Sequence, residues 1–367
     1  MRIDQVLVGA SPGDAVTEAA LRTRATLRTA VESGIYAVHV DETLKGEVGD
    51  LFADFPRDGD RGDVLIHHVS IGEPAVADFV LRSPGMVVAA YHNITPAHFF
   101  EATNPPFADR LRQGRAELAV LADRAIGAVA DSTFNASELL AAGFTNVEVA
   151  PPPLNLSRLL DARPDTGYAD SLAAEGALVL VVGQVLPHKR TELAVEVQHF
   201  LNVNHDATAR LVIAGSCRQQ RYAEAVTRHV GSMRLDSVHL TGPISDARLA
   251  ALFRRADVLL VPSEHEGFCV PLVEAMLHGV PIVARDYGAI AETAGDAALV
   301  LPQDAGAPEL AEATARVIED PELRAAMIER GSRRGEEFIR DATPTAWLEA
   351  LARVLRGGTA GTSTQPA

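Results

Sequence analysis

The chain has 367 residues, 47% of them hydrophobic, and a formal net charge of −16. That length suggests at least two domains with sizeable cores, and the acidic balance argues against a nucleic-acid partner and against docking on anionic lipid, which needs clustered basic residues. No apolar run reaches the ~20 residues of a membrane-spanning helix, no signal-peptide pattern precedes the first strand, and the two cysteines, Cys217 and Cys269, read as reduced thiols of a cytoplasmic protein.

Apolar runs of strand length alternate with helical segments, the pattern of an α/β fold with parallel sheets. In the first half, strands are expected over 3–8, 35–40, 64–68, 86–91, 126–130 and 147–150. Helices are expected over 16–33, 73–81, 110–124 and 133–142, with the acidic stretch 41–63 as a surface excursion. Pro151 opens a proline-rich linker to about residue 176. The alternation then restarts, with strands over 178–182, 209–214, 238–240, 258–261, 282–284 and 298–301. Helices follow over 191–201, 221–233, 246–255 and 271–278, then 321–330 and 344–355. This predicts Rossmann-like domains over 1–160 and 175–338 and a disordered Gly/Thr/Ser-rich tail over 357–367.

The segment from Pro262 to Met276 carries the most chemistry. A buried strand feeds a loop, Glu266-Gly267-Phe268-Cys269-Val270, and Pro271 suits a first helical position. Such a loop presents backbone amides and the positive end of a helix dipole, a site for an anion such as a pyrophosphate. Glu266 and Glu274 cannot bind phosphate themselves but suit hydroxyls. The implied ligand has an anionic centre and a hydroxyl-bearing ring at each end, which describes a nucleotide sugar.

Glu266-Gly-Phe-Cys-Val-Pro-Leu-Val-Glu274 resembles the Glu-x7-Glu motif of family-four retaining glycosyltransferases of the GT-B fold, and the match extends through Glu-Ala-Met-x-x-Gly-x-Pro-Ile-Val-Ala. The resemblance implies two facing, doubly wound Rossmann-like domains: an N-terminal acceptor domain, onto which a last helix at about 340–356 packs back through Trp347 and Leu348, and a C-terminal donor domain. It places Glu266 at the donor sugar, the amides of Gly267, Phe268, Cys269 and Val270 at the diphosphate, and Glu274 at the ribose. The family usually has Gly where Cys269 stands; the thiol either narrows donor choice or is harmless if φ there is below zero.

Gly183-Gln184-x4-Lys189-Arg190 resembles the family's Gly-Arg-x4-Lys segment, whose cations clamp the diphosphate. Charge builds on that leaving group as the glycosidic bond breaks, so cations there stabilise the transition state. Lys189, one of two lysines, matches; Gln184 replaces the usual Arg, leaving Arg190 to supply a second charge or Gln184 to donate a neutral hydrogen bond. In the first half, His92 ends a strand, where ligands of open α/β sheets sit. The resemblance puts it near the reaction centre, with Gly13 in the preceding Gly-rich loop. His67 and His68 end another strand and read as structural, Asp131-Ser132 reads as a helix cap, and Glu292 is expected to order the donor loop.

Together these imply a metal-independent, retaining glycosyltransferase, most simply a hexosyltransferase. Its donor is a UDP- or GDP-sugar, its acceptor a glycan or small-molecule hydroxyl, and it needs no cofactor. A front-face mechanism would use His92, Lys189 and Glu266 as its catalytic residues. The alternatives are a catalytically silent nucleotide-sugar binder and a GT-B nucleotide-sugar epimerase.

Overall fold

A computed structural model describes residues 2–56, 63–171 and 176–361. The chain divides into two compact units. The first comprises Met1–His98, Pro105–Asn155 and Ile339–Ala367, and the second Phe99–Asn104 and Leu156–Phe338.

In the first unit, β1 (Ile3–Ala10), β2 (Ile35–Val40), β3 (Gly49–Asp50), β4 (Val64–Val69), β5 (Met86–Tyr91), β6 (Gly127–Ala130) and β7 (Val147–Val149) form a parallel sheet ordered β3-β2-β1-β4-β5-β6-β7. The connecting helices are α1 (Ala15–Leu27), α2 (Pro74–Arg82), α3 (Pro105–Arg124) and α4 (Thr133–Ala141). Sequence order reverses between β1 and β4, which opens a crevice at their C-terminal ends.

The second unit starts with two short helices in the expected linker, α5 (Ser157–Leu160) and α6 (Thr166–Ser171). It continues through β8 (Leu178–Val182), α7 (Thr191–Asn204), β9 (Arg210–Ala214), α8 (Gln220–Met233), β10 (Val238–Gly242), α9 (Asp246–Arg255) and β11 (Val258–Val261). It closes with α10 (Val270–Leu277), β12 (Ile282–Arg285), α11 (Ile290–Ala294), β13 (Ala298–Leu301), α12 (Ala307–Glu319) and α13 (Pro321–Asp341). The sheet order is β10-β9-β8-β11-β12-β13, all parallel, with the reversal between β8 and β11. These central strands are apolar along their length because helices bury both faces.

From Ile339 the chain belongs again to the first unit, where α14 (Pro344–Gly361) covers one face of the sheet. Trp347, Ala350, Leu351 and Val354 pack there on Ile3, Val64, Ile66, Val88 and Val129.

Several expectations are corrected. Helix α1 stops at Leu27 rather than 33, since the amides of Thr29 and Ala30 bond only three residues back, to the Thr26 and Leu27 carbonyls, and tighten the end into a turn. Helix α3 begins five residues early at Pro105, where two prolines pre-set the first turn. The unpredicted α12 buries Leu310, Ala311, Thr314 and Val317 along one stripe of an otherwise alanine- and glutamate-rich segment. Helix α13 passes through Gly331 and Gly335 to Asp341, because those glycines pack on Met276 and Leu277; a Cβ at 335 would lie 2.8 Å from the Leu277 side chain. The acidic excursion contains β3 and buries Val48 and Leu51, while 57–62 lie outside the described residues. The expected tail is helical as far as Gly361, and 362–367 lie outside the described residues.

Candidate functional site

At the β8/β11 reversal, the loop from β11 into α10 is held on several sides. Arg285, buried at the end of β12, donates from Nε and Nη2 to the Pro262 carbonyl at 3.0 and 2.7 Å. The Ala289 amide donates to the Glu266 carbonyl at 2.9 Å. Gly288 is required beside it: its φ is +63°, and a Cβ would lie 2.2 Å from that carbonyl. Thr293 Oγ1 donates to the Phe268 carbonyl at 2.7 Å, and the Phe268 ring meets Phe338 edge-on at 5.6 Å. The Ala289 amide, close packing at Gly288 and the Thr293 hydroxyl thus order the loop, and the Glu292 side chain is exposed.

The loop delivers Cys269 to the N-cap of α10 with φ 71° and ψ 70°. Cys269 therefore occupies the left-handed region that its glycine-like position requires, and the harmless case, φ below zero, does not hold. The amides of Phe268, Cys269 and Val270 donate to no protein acceptor among the described residues. Burial raises the Cys269 thiol pKa well above its ordinary value, and Glu266 adds to this, so the thiol is neutral.

Glu266 is 7% exposed. Its Oε1 accepts from Lys189 Nζ at 2.6 Å and from Ser263 Oγ at 2.8 Å. Lys189 reaches it from the turn after β8, passing over Gly183, where an added Cβ would stand 3.6 Å from Lys189 Cε. Burial works against the lysine charge, but the Glu266 carboxylate more than offsets it and raises the Lys189 pKa. Gly183, Gln184, Lys189, Ser263, Glu266 and Cys269 line one pocket. Arg190 does not join them. It pairs with Glu192 and Glu264, and Glu264 also takes Arg285, so the second charge assigned to Arg190 is spent on structural carboxylates.

Glu274 lies one turn into α10 and is buried. Burial raises its pKa, and Arg158 partly offsets that by donating from Nη2 at 3.1 Å while also pairing with Asp246. Sequence reasoning missed Arg158. It sits on α5 inside a proline-rich linker and carries no local signal; only the packing of α5 brings it to α10.

In the first unit, Gly13 has φ +73° with open space around it, and Asp14 caps α1 by accepting from the Thr17 amide at 2.9 Å. His92 follows β5 and Asp131 follows β6, where Tyr91 pairs with Ala130. Asp131 Oδ2 lies 2.8 Å from His92 Nδ1, while Ser132, not Asp131, caps α4. The other ring nitrogen of His92 is 2.8 Å from His68 Nδ1, so His68, read as structural, is a partner of a candidate site residue. His67 faces the opposite side of β4 into a second, apolar cavity between α2 and α3.

These parallel-sheet units have the GT-B fold. The Anabaena protein HepE, solved with UDP and glucose, superposes with a TM-score of 0.74 over 97% of this chain and 99% of its own, at 16% identity. Sucrose-phosphate synthase from Thermosynechococcus elongatus matches at TM-score 0.74 over 98% of this chain and 100% of its own, at 17% identity. Residues 169–334 match the family model described as glycosyl transferases group 1. An α-(1→4)-mannosyltransferase of Mycolicibacterium hassiacum is 38% identical over 128 residues, covering 32% of this chain and 31% of the relative. A D-inositol 3-phosphate glycosyltransferase of Kineococcus radiotolerans is 29% identical over 274 residues, covering 69% of this chain and 62% of the relative. The chain thus spans less than two thirds of either relative's length. No helix among the described residues is long and apolar enough to cross a membrane.

Proposed function

We propose that the protein is a retaining glycosyltransferase of the family-four type, moving a hexosyl group from a UDP- or GDP-sugar to an acceptor hydroxyl without a metal or cofactor, in the cytoplasm. The observation that carries this reading is the Lys189–Glu266 ion pair set beside the unengaged amides that open α10, with Glu274 one turn further on. The turn after β8 offers a cation and the start of α10 offers amides to a diphosphate, with a carboxylate for hydroxyls on either side. UDP and glucose in the similarly folded HepE fit the same ligand class.

On this reading the bond from the anomeric carbon to the diphosphate oxygen breaks. The acceptor oxygen bonds to that carbon on the same face, and its proton passes to the departing diphosphate. Lys189 and the amides of Phe268, Cys269 and Val270 stabilise the charge that develops on the diphosphate. Glu266 orients sugar hydroxyls, and Glu274 takes the ribose hydroxyls as Arg158 yields. In the free protein both carboxylates are held by cations, so the donor replaces existing partners rather than entering a vacant site.

The test is thermal stability of the purified protein against nucleoside diphosphates and their sugars without metal, followed by a transfer assay. A ligand that binds only the folded state raises the midpoint according to its affinity. A selective rise with one nucleoside diphosphate and its sugar, reduced in Glu274→Ala, is expected. No rise at millimolar ligand would overturn the donor site. Gln184 in place of a second cation favours one other reading, a nucleotide-sugar binder without turnover, which binding with no hydrolysis or transfer would reveal.

A further inference from the structure

The hydrogen bonds around His92 can be satisfied only if the first unit holds one proton more than two neutral histidines and an ionised aspartate would carry. Gln5 Nε2 donates to the Ala20 carbonyl at 3.1 Å, which turns Gln5 Oε1 toward His68 Nε2 at 2.9 Å. The flipped amide would set two oxygens against each other at Ala20. An amide oxygen only accepts, so His68 Nε2 carries the hydrogen. A neutral imidazole has a single N–H, so His68 Nδ1 is a lone pair. It lies 2.8 Å from His92 Nε2, which must then donate. His92 Nδ1, 2.8 Å from Asp131 Oδ2, donates as well.

We infer that His92 is held as an imidazolium, with an N–H to Asp131 on one side and an N–H to His68 on the other, and that Gln5 and His68 fix this state by fixing the His68 tautomer. The extra proton has two other possible seats. On Asp131 it would sit on a carboxylate while an imidazole, the stronger base, stood beside it. On His68 it would have no carboxylate partner and would lie between His67 and His92. Buried and charged, Asp131 needs a cation, the more so because its Oδ1 has no hydrogen-bond donor. The titratable groups acting on the pair come from every neighbouring element: Asp131 after β6, Asp14 at the head of α1, and His67 with His68 on β4. Glu138 and Arg115 nearby are paired with each other. Burial opposes charge on both rings; Asp131 and Asp14 overcome it at His92, whereas the other histidines reinforce it at His68.

The proton count holds whatever reaction the protein carries out. Its chemical meaning is that His92 has neither a lone pair nor a spare N–H. It cannot serve as a general base, and it presents a fixed positive charge at the C-terminal end of β5. His68 is then a positioning residue acting through His92.

The experiment is NMR of the whole chain with nitrogen-15 in its histidines, at about pH 8, where an unperturbed histidine is neutral. One of the 12 histidines should keep both ring nitrogens protonated at the imidazolium shift. In Gln5→Leu that signature should be lost at the same pH, because His68 becomes free to take the other tautomer and donate to a neutral His92. Asp131→Asn should lose it too, which supplies a second variant if Gln5→Leu does not fold. An unprotonated nitrogen on every histidine of the natural protein at pH 8 would overturn the inference. So would an imidazolium that persists unchanged in both variants.

Discussion

At the residue scale, two side chains in one pocket do opposite things. Lys189 is a buried cation held ready by Glu266. Lys189→Ala should cut turnover of the folded protein by about 10²-fold or more, since that loss falls on charge developing in the transition state, and it should also lower the melting point, because the buried Glu266 carboxylate loses its cation. Single-turnover kinetics beside a melting curve would check this, and an unchanged rate would remove Lys189 from that role. Cys269 is a buried residue in the left-handed region. Cys269→Gly relieves backbone strain and forfeits a small buried side chain, terms of about 1 kcal/mol each, so stability should move by less than about 1 kcal/mol. Cys269→Val adds a β-branch at positive φ and one more heavy atom in a buried site, and should cost roughly 2 kcal/mol or more. Denaturant midpoints of the two variants separate the cases; equal losses would show that backbone conformation does not govern this position.

At the scale of elements, α10 and α14 are specified differently. Both glutamates, the proline in the first turn of α10 and the strand leading into it are local features, so this part of the site is legible in the sequence, although α10 begins one residue earlier, at Val270. Arg158 and Thr293 were not, because Arg158 reaches Glu274 and Thr293 reaches the Phe268 carbonyl from separate elements, and neither carries a periodic or compositional signal. Helix α14 was legible as an amphipathic segment, but its destination is set by packing. Trp347 is 1% exposed in the core of the first unit, and Trp347→Ala should destabilise by about 3–5 kcal/mol. Urea unfolding read from the first unit would test this; a loss under about 1 kcal/mol would mean that α14 does not hold that core together.

At the scale of the whole molecule, buried histidines govern the response to acid. Burial pulls His67 down to about 4, and it also lowers His68 and His188. In each case the unfolded chain binds the proton more readily, so stability rises with pH through this window. It is fully present above the unfolded pKa near 6.5 and is lost as pH falls toward 4, before most carboxylates protonate. For His67 the full loss is roughly 3 kcal/mol. His92 has the opposite sign: its pKa is raised, so its contribution is present below about 6.5 and fades as pH rises through the folded value. Urea midpoints between about pH 7 and 4.5 should therefore fall, and His67→Leu should flatten the slope. A flat profile in the natural chain would show that these rings accept protons without cost.

The sequence by itself determined the two α/β units, the strand-loop-helix that carries Glu266 and Glu274, and the turn that carries Lys189. Each of these is written in periodicity, turn residues and spacing over a few neighbouring positions. Only the tertiary structure decided that Arg190 is taken up by Glu192 and Glu264, that Arg158 guards Glu274, that Cys269 adopts positive φ, and that His68 completes the surroundings of His92. Charge pairing and tautomer are settled by atoms within about 3 Å of one another. In this chain those atoms come from residues far apart in sequence: Arg158 and Glu274 are 116 positions apart, and Arg353 and Glu148 are 205.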